Sequence, residues 1–201
     1  MNQETSSIRS HYPLLHKAIR YATKKHADFE REDVIMIPFI VHPIEVMSLL
    51  IKLGNIDDEE ILCAAVLHDI LESTSAKKYK LEEKFGSHIT DIVLELTRTG
   101  LSKEEKYNLT KDEIWQKKNT IFLDEVKNMS REAKLIKLAD RYSNLKRVLR
   151  IKKPSKIERY LKQTEEIIRL IPEEVNRNLW NELNDLLQTA KLKYSVKDEN
   201  L

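Results

Sequence analysis

Apolar residues recur at helical spacing along most of the chain. In the first such segment, residues 11–28, they recur at i, i+1, i+4, i+5 and i+8, the stripe of an amphipathic helix. Residues 30–41 break this pattern and are predicted to form a loop or a short extended piece, and Pro43 then suits the first turn of a helix that Gly54 ends. Later helices are predicted at a segment capped by Asp57 or Asp58, and at 81–85, 87–97, 111–127, 130–150, 155–171 and 173–193.

Residues 61–67 form a run that is apolar on nearly every side. A helix of this kind is usually central and buried. The run ends in His68 and Asp69, so the pattern places two polar side chains deep in the fold. The sequence Ser73-Thr74-Ser75 then predicts a turn, and residues 99–110 an exposed connection.

Glycine is scarce in this chain of 201 residues. There are 3 glycines, where an average composition of ~7% gives about 14. Because strand-rich folds need glycine in their tight turns, the scarcity favours an all-α fold. The glycines are also too widely spaced for a phosphate-binding glycine-rich loop. We predict one all-α domain, with residues 151–201 as an appended helical part.

Cys63 is the only cysteine, so no intrachain disulfide and no cysteine-based zinc cluster can form. The longest uncharged apolar stretch, residues 34–44, is far shorter than the ~20 residues of a membrane span, and the polar first residues do not resemble a signal peptide. These features predict a protein of a reducing compartment, the cytoplasm, with no membrane association.

The net charge of +2 hides an uneven distribution. Residues 131–162 hold twelve Lys and Arg side chains against Glu132, Asp140 and Glu158. This basic stretch fits an anionic ligand such as a nucleotide, or else a solvated helix face. Aromatic residues do not alternate with the basic ones in a recognisable motif, which argues against nucleic acid as a partner.

Three separate apolar segments each carry a histidine or an aspartate. They contribute His42 at a loop-to-helix junction, His68 with Asp69, and Asp140. A buried carboxylate is costly unless it is paired or binds a cation, and one divalent metal would satisfy all four side chains. Mixed imidazole and carboxylate ligands suit Mn²⁺, Fe²⁺ or Zn²⁺. Taken singly, each histidine also fits an ordinary core position, and Asp140 a salt-bridged helix position.

The order His42, His68-Asp69, Asp140 resembles the HD-domain metal-dependent phosphohydrolases. Longer phrases resemble the alarmone (guanosine tetraphosphate) hydrolases of the RelA/SpoT type, and among them the small stand-alone members. These phrases are PFIVHP (38–43), AAVLHD (64–69), LEEKFG (81–86) and AKLIKLADR (133–141) with Asn144-Leu145. The resemblance covers about residues 14–150. It implies an HD-domain helical bundle of about eight to ten helices, with residues 1–150 as the hydrolase domain.

The resemblance also implies a reaction. In this family the four HD residues hold Mn²⁺, and the enzyme removes pyrophosphate from the ribose 3′ position of (p)ppGpp. Carried over by position, the ligands are His42, His68, Asp69 and Asp140, although another divalent metal stays open. The substrate is then guanosine tetraphosphate or a related nucleotide, and a homo-oligomer is possible.

A Glu-Asp pair that serves the attacking water normally follows the His-Asp motif in this family. Here the pair is Glu72-Ser73, so Glu72 is present and serine replaces the aspartate. Ser73 cannot act as a base at neutral pH. The departure leaves two alternatives beside (p)ppGpp hydrolysis: a phosphohydrolase of another nucleotide, or a weakly active nucleotide-binding sensor.

Further residues are candidates for binding the substrate. Arg31 stands at a family arginine position, and Asn144 matches a nucleotide-contacting asparagine. Together with Arg31, three basic residues of the 131–162 stretch could offset the charge of the leaving pyrophosphate. They are Lys134, Lys137 and Arg141.

Overall fold

The structure is a computed structural model that describes residues 12–27, 37–151 and 154–198. Within these ranges the chain forms α-helices and one short 3₁₀-helix and contains no strand, which confirms the predicted all-α fold. The helices are α1 (Pro13–Lys25), α2 (Val41–Lys52), α3 (Glu59–Leu67), α4 (Ile70–Ser73), α5 (Lys78–Leu96), α6 (Lys103–Lys106), α7 (Lys111–Asn128), α8 (Arg131–Ile151), α9 (Pro154–Leu170) and α10 (Arg177–Asp198). In the part of the chain described, none of them is both long and apolar enough to cross a membrane.

The chain divides into two compact units between Thr97 and Arg98. The first unit contains α1 to α5, and the second contains α6 to α10. The boundary near residue 150 that the sequence suggested stays a prediction.

Helix α3 is the centre of the first unit and packs against α1, α2 and α5. Its side chains from Leu62 to Leu67 are all buried, as the apolar run predicts. Asp58 caps the helix, since its Oδ1 accepts hydrogen bonds from the backbone N–H groups of Glu60 (2.9 Å) and Ile61 (3.1 Å). The buried helix therefore begins at a fixed point and carries its C-terminal end, with His68, into the interior.

Helix α1 is capped by a residue of another helix. Its own N-cap residue, Tyr12, makes no side-chain capping bond. Instead, Glu59 Oε1 on α3 accepts hydrogen bonds from the backbone N–H groups of Leu14 (2.6 Å) and Leu15 (2.9 Å). A carboxylate at this position also complements the helix dipole.

Replacing Glu59 by alanine is expected to lower the free energy of unfolding by about 1–2 kcal/mol, because two backbone donors of α1 lose their acceptor. Glu60→Ala is the matched control, since Glu60 is an exposed neighbour that does not bond to α1. Urea unfolding followed by circular dichroism measures both variants. Equal losses in the two variants would contradict the capping role.

Helix α5 contains a break at Gly86, where φ is +83° and ψ is 170°. The sequence predicts this break, since it places a helix stop at Gly86 between two helical segments. A side chain is rarely tolerated at this φ. The break redirects the chain, so that Ile89, Ile92, Val93 and Leu96 are buried in the second half of the helix.

The second unit is built from α7, α8, α9 and α10, with α10 packed against α8 and α9. Ser130 caps α8 as predicted, since its Oγ accepts a hydrogen bond from Ala133 N–H (3.2 Å). The last helix begins later than the sequence indicates: residues Glu173–Val175 form a 3₁₀ turn, and α10 starts at Arg177. Asn176 explains the shift, because its side chain accepts a hydrogen bond from Leu179 N–H and so caps the helix there.

Candidate metal centre

His68 is the residue at which the buried helix α3 ends. Its ring is 2% exposed, and Nδ1 lies 2.7 Å from the backbone carbonyl oxygen of Ala65. A carbonyl can only accept, so Nδ1 carries the proton and donates it. This bond fixes both the ring orientation and the tautomer, and Nε2 becomes the atom able to bind a metal.

His42 lies in the first turn of α2 and is 1% exposed. Its backbone N–H donates to the carbonyl oxygen of Phe39 (3.1 Å), and Pro43 follows at a position where a missing N–H costs nothing. The rings of His42 and His68 meet edge to face, with their centroids 5.2 Å apart. Two helix ends thus bring two buried imidazoles together.

Asp69 completes a cluster with the two histidines. Its carboxylate oxygens lie 3.2 Å from His68 Nε2 and 3.8 Å from His42 Nε2. One ligand atom from each of the three residues lies within 4.8 Å of the others. The Asp69 side chain is 22% exposed, so the cluster is buried on the histidine side and reaches solvent at the carboxylate.

The spacing of these atoms suits a bound ion. Atoms bonded at ~2.1 Å to one ion, at tetrahedral or octahedral angles, lie about 3.0–3.4 Å apart. The 3.2 Å separation agrees with this value. The 3.8 Å separation, which is to the other Asp69 oxygen, exceeds it by a few tenths of an ångström, and the three ligand atoms lie within 4.8 Å of one another. Two imidazoles and one carboxylate are a donor set for Mn²⁺, Fe²⁺ or Zn²⁺. The residues present therefore fit a divalent metal.

Asp140, the fourth predicted ligand, belongs to the second unit and lies on α8. It is 6% exposed, and its carboxylate accepts hydrogen bonds from Lys137 Nζ (3.1 Å) and from the Asn144 side-chain amide. The first unit thus brings together three of the four predicted ligands, and the role of Asp140 as a ligand stays a prediction.

Comparisons with known proteins agree with this cluster. A model of the HD domain family matches residues 18–168. The chain belongs to the HD-domain family. HD domains bind divalent metals, which is consistent with the cluster of His42, His68 and Asp69.

Several relatives of this HD-domain chain are named for one reaction. The guanosine-3′,5′-bis(diphosphate) 3′-pyrophosphohydrolase MESH1 of Xenopus tropicalis is 34% identical over 134 residues, which is 66% of this chain and 68% of that protein. The protein of the same name from Drosophila melanogaster is 34% identical over 131 residues, 65% of this chain and 66% of that protein. A guanosine-3′,5′-bis(diphosphate) 3′-pyrophosphohydrolase of Aquifex aeolicus is 28% identical over 203 residues, and the match spans 27% of its length.

A solved structure is also similar to this HD-domain chain. It is that of a metazoan orthologue of SpoT that hydrolyses ppGpp, with a TM-score of 0.74 and 28% identity. The match covers 88% of this chain and 94% of that one. The likeness confirms the HD-domain helical fold that the motif order suggested.

Glu72 and Ser73 lie on α4, the single turn of helix that follows Asp69. Ser73 N–H donates to the Asp69 carbonyl oxygen (2.9 Å), so this turn continues directly from the metal cluster. Glu72 is exposed and Ser73 is half-buried. The catalytic roles of these two residues in the HD-domain chain stay predictions.

Arg141 is placed differently from the other candidate substrate residues. It is 1% exposed, and its guanidinium donates to Thr164 Oγ1 (2.9 Å), Gln163 Oε1 (2.8 Å) and the Tyr160 carbonyl oxygen (2.8 Å), all on α9. Burial lowers the pKa of Arg141 to about 10, so the group is still charged at pH 7. These contacts join α8 to α9, and substrate binding by Arg141 stays a prediction.

The remaining candidate substrate-binding residues differ in burial and in their hydrogen bonds. Lys137 is 3% exposed and bonded to Asp140, whereas Lys134 is half-buried. Asn144 lies between Asp140 and Arg147, to each of which it is hydrogen bonded. Arg31 lies outside the described residues. Substrate binding by these residues stays a prediction.

His26 is a buried histidine of the first unit to which sequence reasoning gave no role. It is 1% exposed and stacks on Phe39, with ring centroids 4.7 Å apart. Neither ring nitrogen is hydrogen bonded to any residue that the structure describes. Burial lowers the pKa of His26 below its usual value, and the negative charge of Asp69 opposes this shift. The sequence carried a signal for this burial, since His26 follows Ala22 of the apolar stripe by four residues, which is helical spacing.

Proposed function

We propose that this HD-domain protein hydrolyses guanosine 3′,5′-bis(diphosphate) and releases the 3′-pyrophosphate. The observation that carries the proposal is the convergence of His42, His68 and Asp69 into a metal-binding geometry. It is supported by the relatives named for this reaction, which share about a third of their residues with the chain over the matched region. Mn²⁺ is the proposed metal, with Asp140 as the fourth ligand.

The chemistry requires an activated water molecule and a stabilised leaving group. His42, His68 and Asp69 would hold a divalent ion, which would supply polarisation of a phosphoryl oxygen and a more nucleophilic water at neutral pH. Water adds to the phosphorus attached to the ribose 3′ oxygen, the bond between these two atoms breaks, and the 3′ oxygen leaves and takes up a proton to become a hydroxyl. GDP and pyrophosphate are the products.

Protein side chains supply the remaining functions. Glu72, four residues after His68 and on α4, orients the water and accepts its proton. Lys134, the half-buried cation of α8, offsets charge on the released pyrophosphate. Because His68 Nδ1 donates its proton to the Ala65 carbonyl oxygen, Nε2 is the ring nitrogen that binds the metal.

Ser73 supports a second candidate. Since a serine occupies the position of the family's aspartate, water activation rests on Glu72 alone among this pair. That arrangement is compatible with hydrolysis of a different nucleotide, or with nucleotide sensing at a low rate of turnover. The cytoplasmic location and the homo-oligomer stay predictions.

The direct test incubates the purified protein with Mn²⁺ and guanosine 3′,5′-bis(diphosphate). We expect equimolar GDP and pyrophosphate, measured by anion-exchange chromatography. No turnover above that of a His68→Ala variant would reject the proposed function. A panel of other phosphorylated nucleotides, with phosphate or pyrophosphate release as the readout, tests the second candidate in the same experiment.

A further inference from the structure

Helix α1 carries positive charges without negative charges to balance them. Residues 13–27 contain four lysine and arginine side chains and no aspartate or glutamate. Lys17 and Arg20 lie one helical turn apart, as do Arg20 and Lys24, and like charges at these spacings destabilise a helix. Since the charges weaken the helix itself, their presence points to a role other than folding.

The cations of α1 line a groove on the first unit, between α1 and α5. The groove has a volume of about 780 Å³, and α5 contributes one side chain to it. The Lys17 ammonium donates to the backbone carbonyl oxygen of Lys84, which joins the two helices at this point. The lining has no acidic side chain and five basic ones, which are Lys17, Arg20, Lys24, Lys25 and Lys84.

The five groove cations are not neutralised by neighbouring carboxylates. None of them forms an ion pair with a residue in the described parts of the chain. Elsewhere, exposed cations pair with a carboxylate one helical turn away, as Lys80 does with Glu83 (2.9 Å) and Lys162 with Glu158 (2.7 Å). A groove with five unpaired positive charges attracts a polyanion.

The cations of α1 form a row along the groove. Lys17, Arg20 and Lys24 recur at i, i+3 and i+7, so they share one face of the helix. At 1.5 Å per residue, the row from Lys17 to Lys25 is about 12 Å long. A nucleic-acid strand in a helix carries one phosphate per ~3.4 Å of axis, so a row of this length faces three to four phosphates. The row therefore matches a short stretch of phosphate backbone in both length and charge.

Tyr21 lies within this row and lines the same groove. Its half-buried ring packs edge to face on Phe85, with the centroids 5.6 Å apart. The ammonium groups of Lys25 and Lys84 each lie 5.9 Å from the centroid of the Tyr21 ring. An aromatic ring bordered by cations is the combination that binds the bases and phosphates of a single strand.

The groove meets a condition that the basic stretch of residues 131–162 does not meet. The expectation against nucleic acid rests on the lack of alternating aromatic and basic residues in that stretch, whereas Tyr21 lies among the cations of α1. Tyr21 and Thr23 also bring hydroxyl groups to the lining, and neither hydroxyl is hydrogen bonded to a described residue. These groups can bond to the ribose 2′-hydroxyl, which DNA lacks.

We propose that the groove between α1 and α5 binds single-stranded RNA. The α1 cations contact successive phosphates, and the Tyr21 ring stacks on a base. Because these contacts are made to the backbone and to the face of a base, binding does not depend on base sequence. The inference does not rest on the proposed function, since it requires neither a metal ion nor hydrolysis.

Fluorescence anisotropy of a labelled 12-nucleotide oligouridylate, titrated with the full chain in EDTA, measures the binding. Since phosphate contacts release counterions, we expect a slope of log affinity against log salt of about −2.8 for four contacts. Replacing both Arg20 and Lys24 by glutamine removes two exposed cations. The double variant should bind the oligouridylate about 10-fold more weakly or less, and the slope should fall in magnitude by about 1.4.

Lys52→Gln is the matched control, because Lys52 is an exposed cation on α2 that does not line the groove. It should change neither the affinity nor the slope. Tyr21→Leu keeps an apolar side chain against Phe85 and removes the ring that stacks. It should weaken binding about 10-fold and leave the salt slope unchanged. Circular dichroism checks that each variant is folded.

Unlabelled competitors identify the partner. Single-stranded DNA, duplex DNA of the same length and inorganic polyphosphate should each displace the oligouridylate less well than unlabelled oligouridylate does. If the double variant bound oligouridylate as tightly as Lys52→Gln does, the groove would not be the binding site. Equal displacement by single-stranded DNA, or by inorganic polyphosphate, would show that the groove does not select RNA and would overturn the proposal.

Discussion

Replacing His68 by alanine is expected to abolish tight binding of divalent metal and to lower hydrolysis of guanosine 3′,5′-bis(diphosphate) by about 10³-fold or more. The variant removes one of the two imidazoles of the metal cluster and leaves Asp69 without its 3.2 Å neighbour. Only His42 and Asp69 then remain as ligands in the first unit, so the affinity for the ion falls. Calorimetric titration with Mn²⁺ measures the loss of binding, and a steady-state assay measures the loss of rate.

His88→Ala is the matched control for this prediction. His88 lies in the same unit, its side chain is 58% exposed, and it is not one of the clustered residues. We expect its metal affinity and rate to equal those of the parent protein. If His68→Ala retained full Mn²⁺ affinity while His88→Ala lost it, the cluster would not be the metal centre.

Replacing Ser73 by aspartate is expected to raise the rate of hydrolysis about 10²-fold, the lower end of what a general base contributes. The new carboxylate lies on α4, the turn that continues from Asp69, beside the existing Glu72. The gain should appear in kcat more than in KM, because the group acts on water rather than on substrate binding.

Ser75→Asp controls for the added charge, since Ser75 is an exposed residue just beyond the end of α4. It should leave the rate unchanged. A Ser73→Asp rate equal to that of the parent protein would show that the missing aspartate does not limit the reaction. Activity of the parent protein on another nucleotide would then favour the alternative substrate.

Local signals explain how much of the fold could be predicted. The apolar run of α3, the cap at Asp58 and the break at Gly86 depend on residues close together in the sequence. The metal cluster was predictable for a related reason. His68 and Asp69 end a helix that must be buried, and polar groups carried inward need a partner.

Tertiary contacts explain what could not be predicted. Glu59 caps α1 from a position 45 residues away from Leu14, which no local pattern reveals. Arg141 donates three hydrogen bonds to residues of α9, and no local pattern around Arg141 reveals these contacts. The 3₁₀ turn before α10 depends on a cap by Asn176, and this side chain competes with the earlier start that Pro172 suggests.

The central claim is that His42, His68 and Asp69 bind one divalent ion. Crystals grown with Mn²⁺ and measured at the manganese absorption edge test it most directly, because the anomalous signal locates the metal. The account predicts a single strong anomalous peak about 2.0–2.3 Å from Nε2 of both histidines and from an Asp69 carboxylate oxygen. An anomalous peak elsewhere in the chain, or none at these three residues at saturating Mn²⁺, would contradict it.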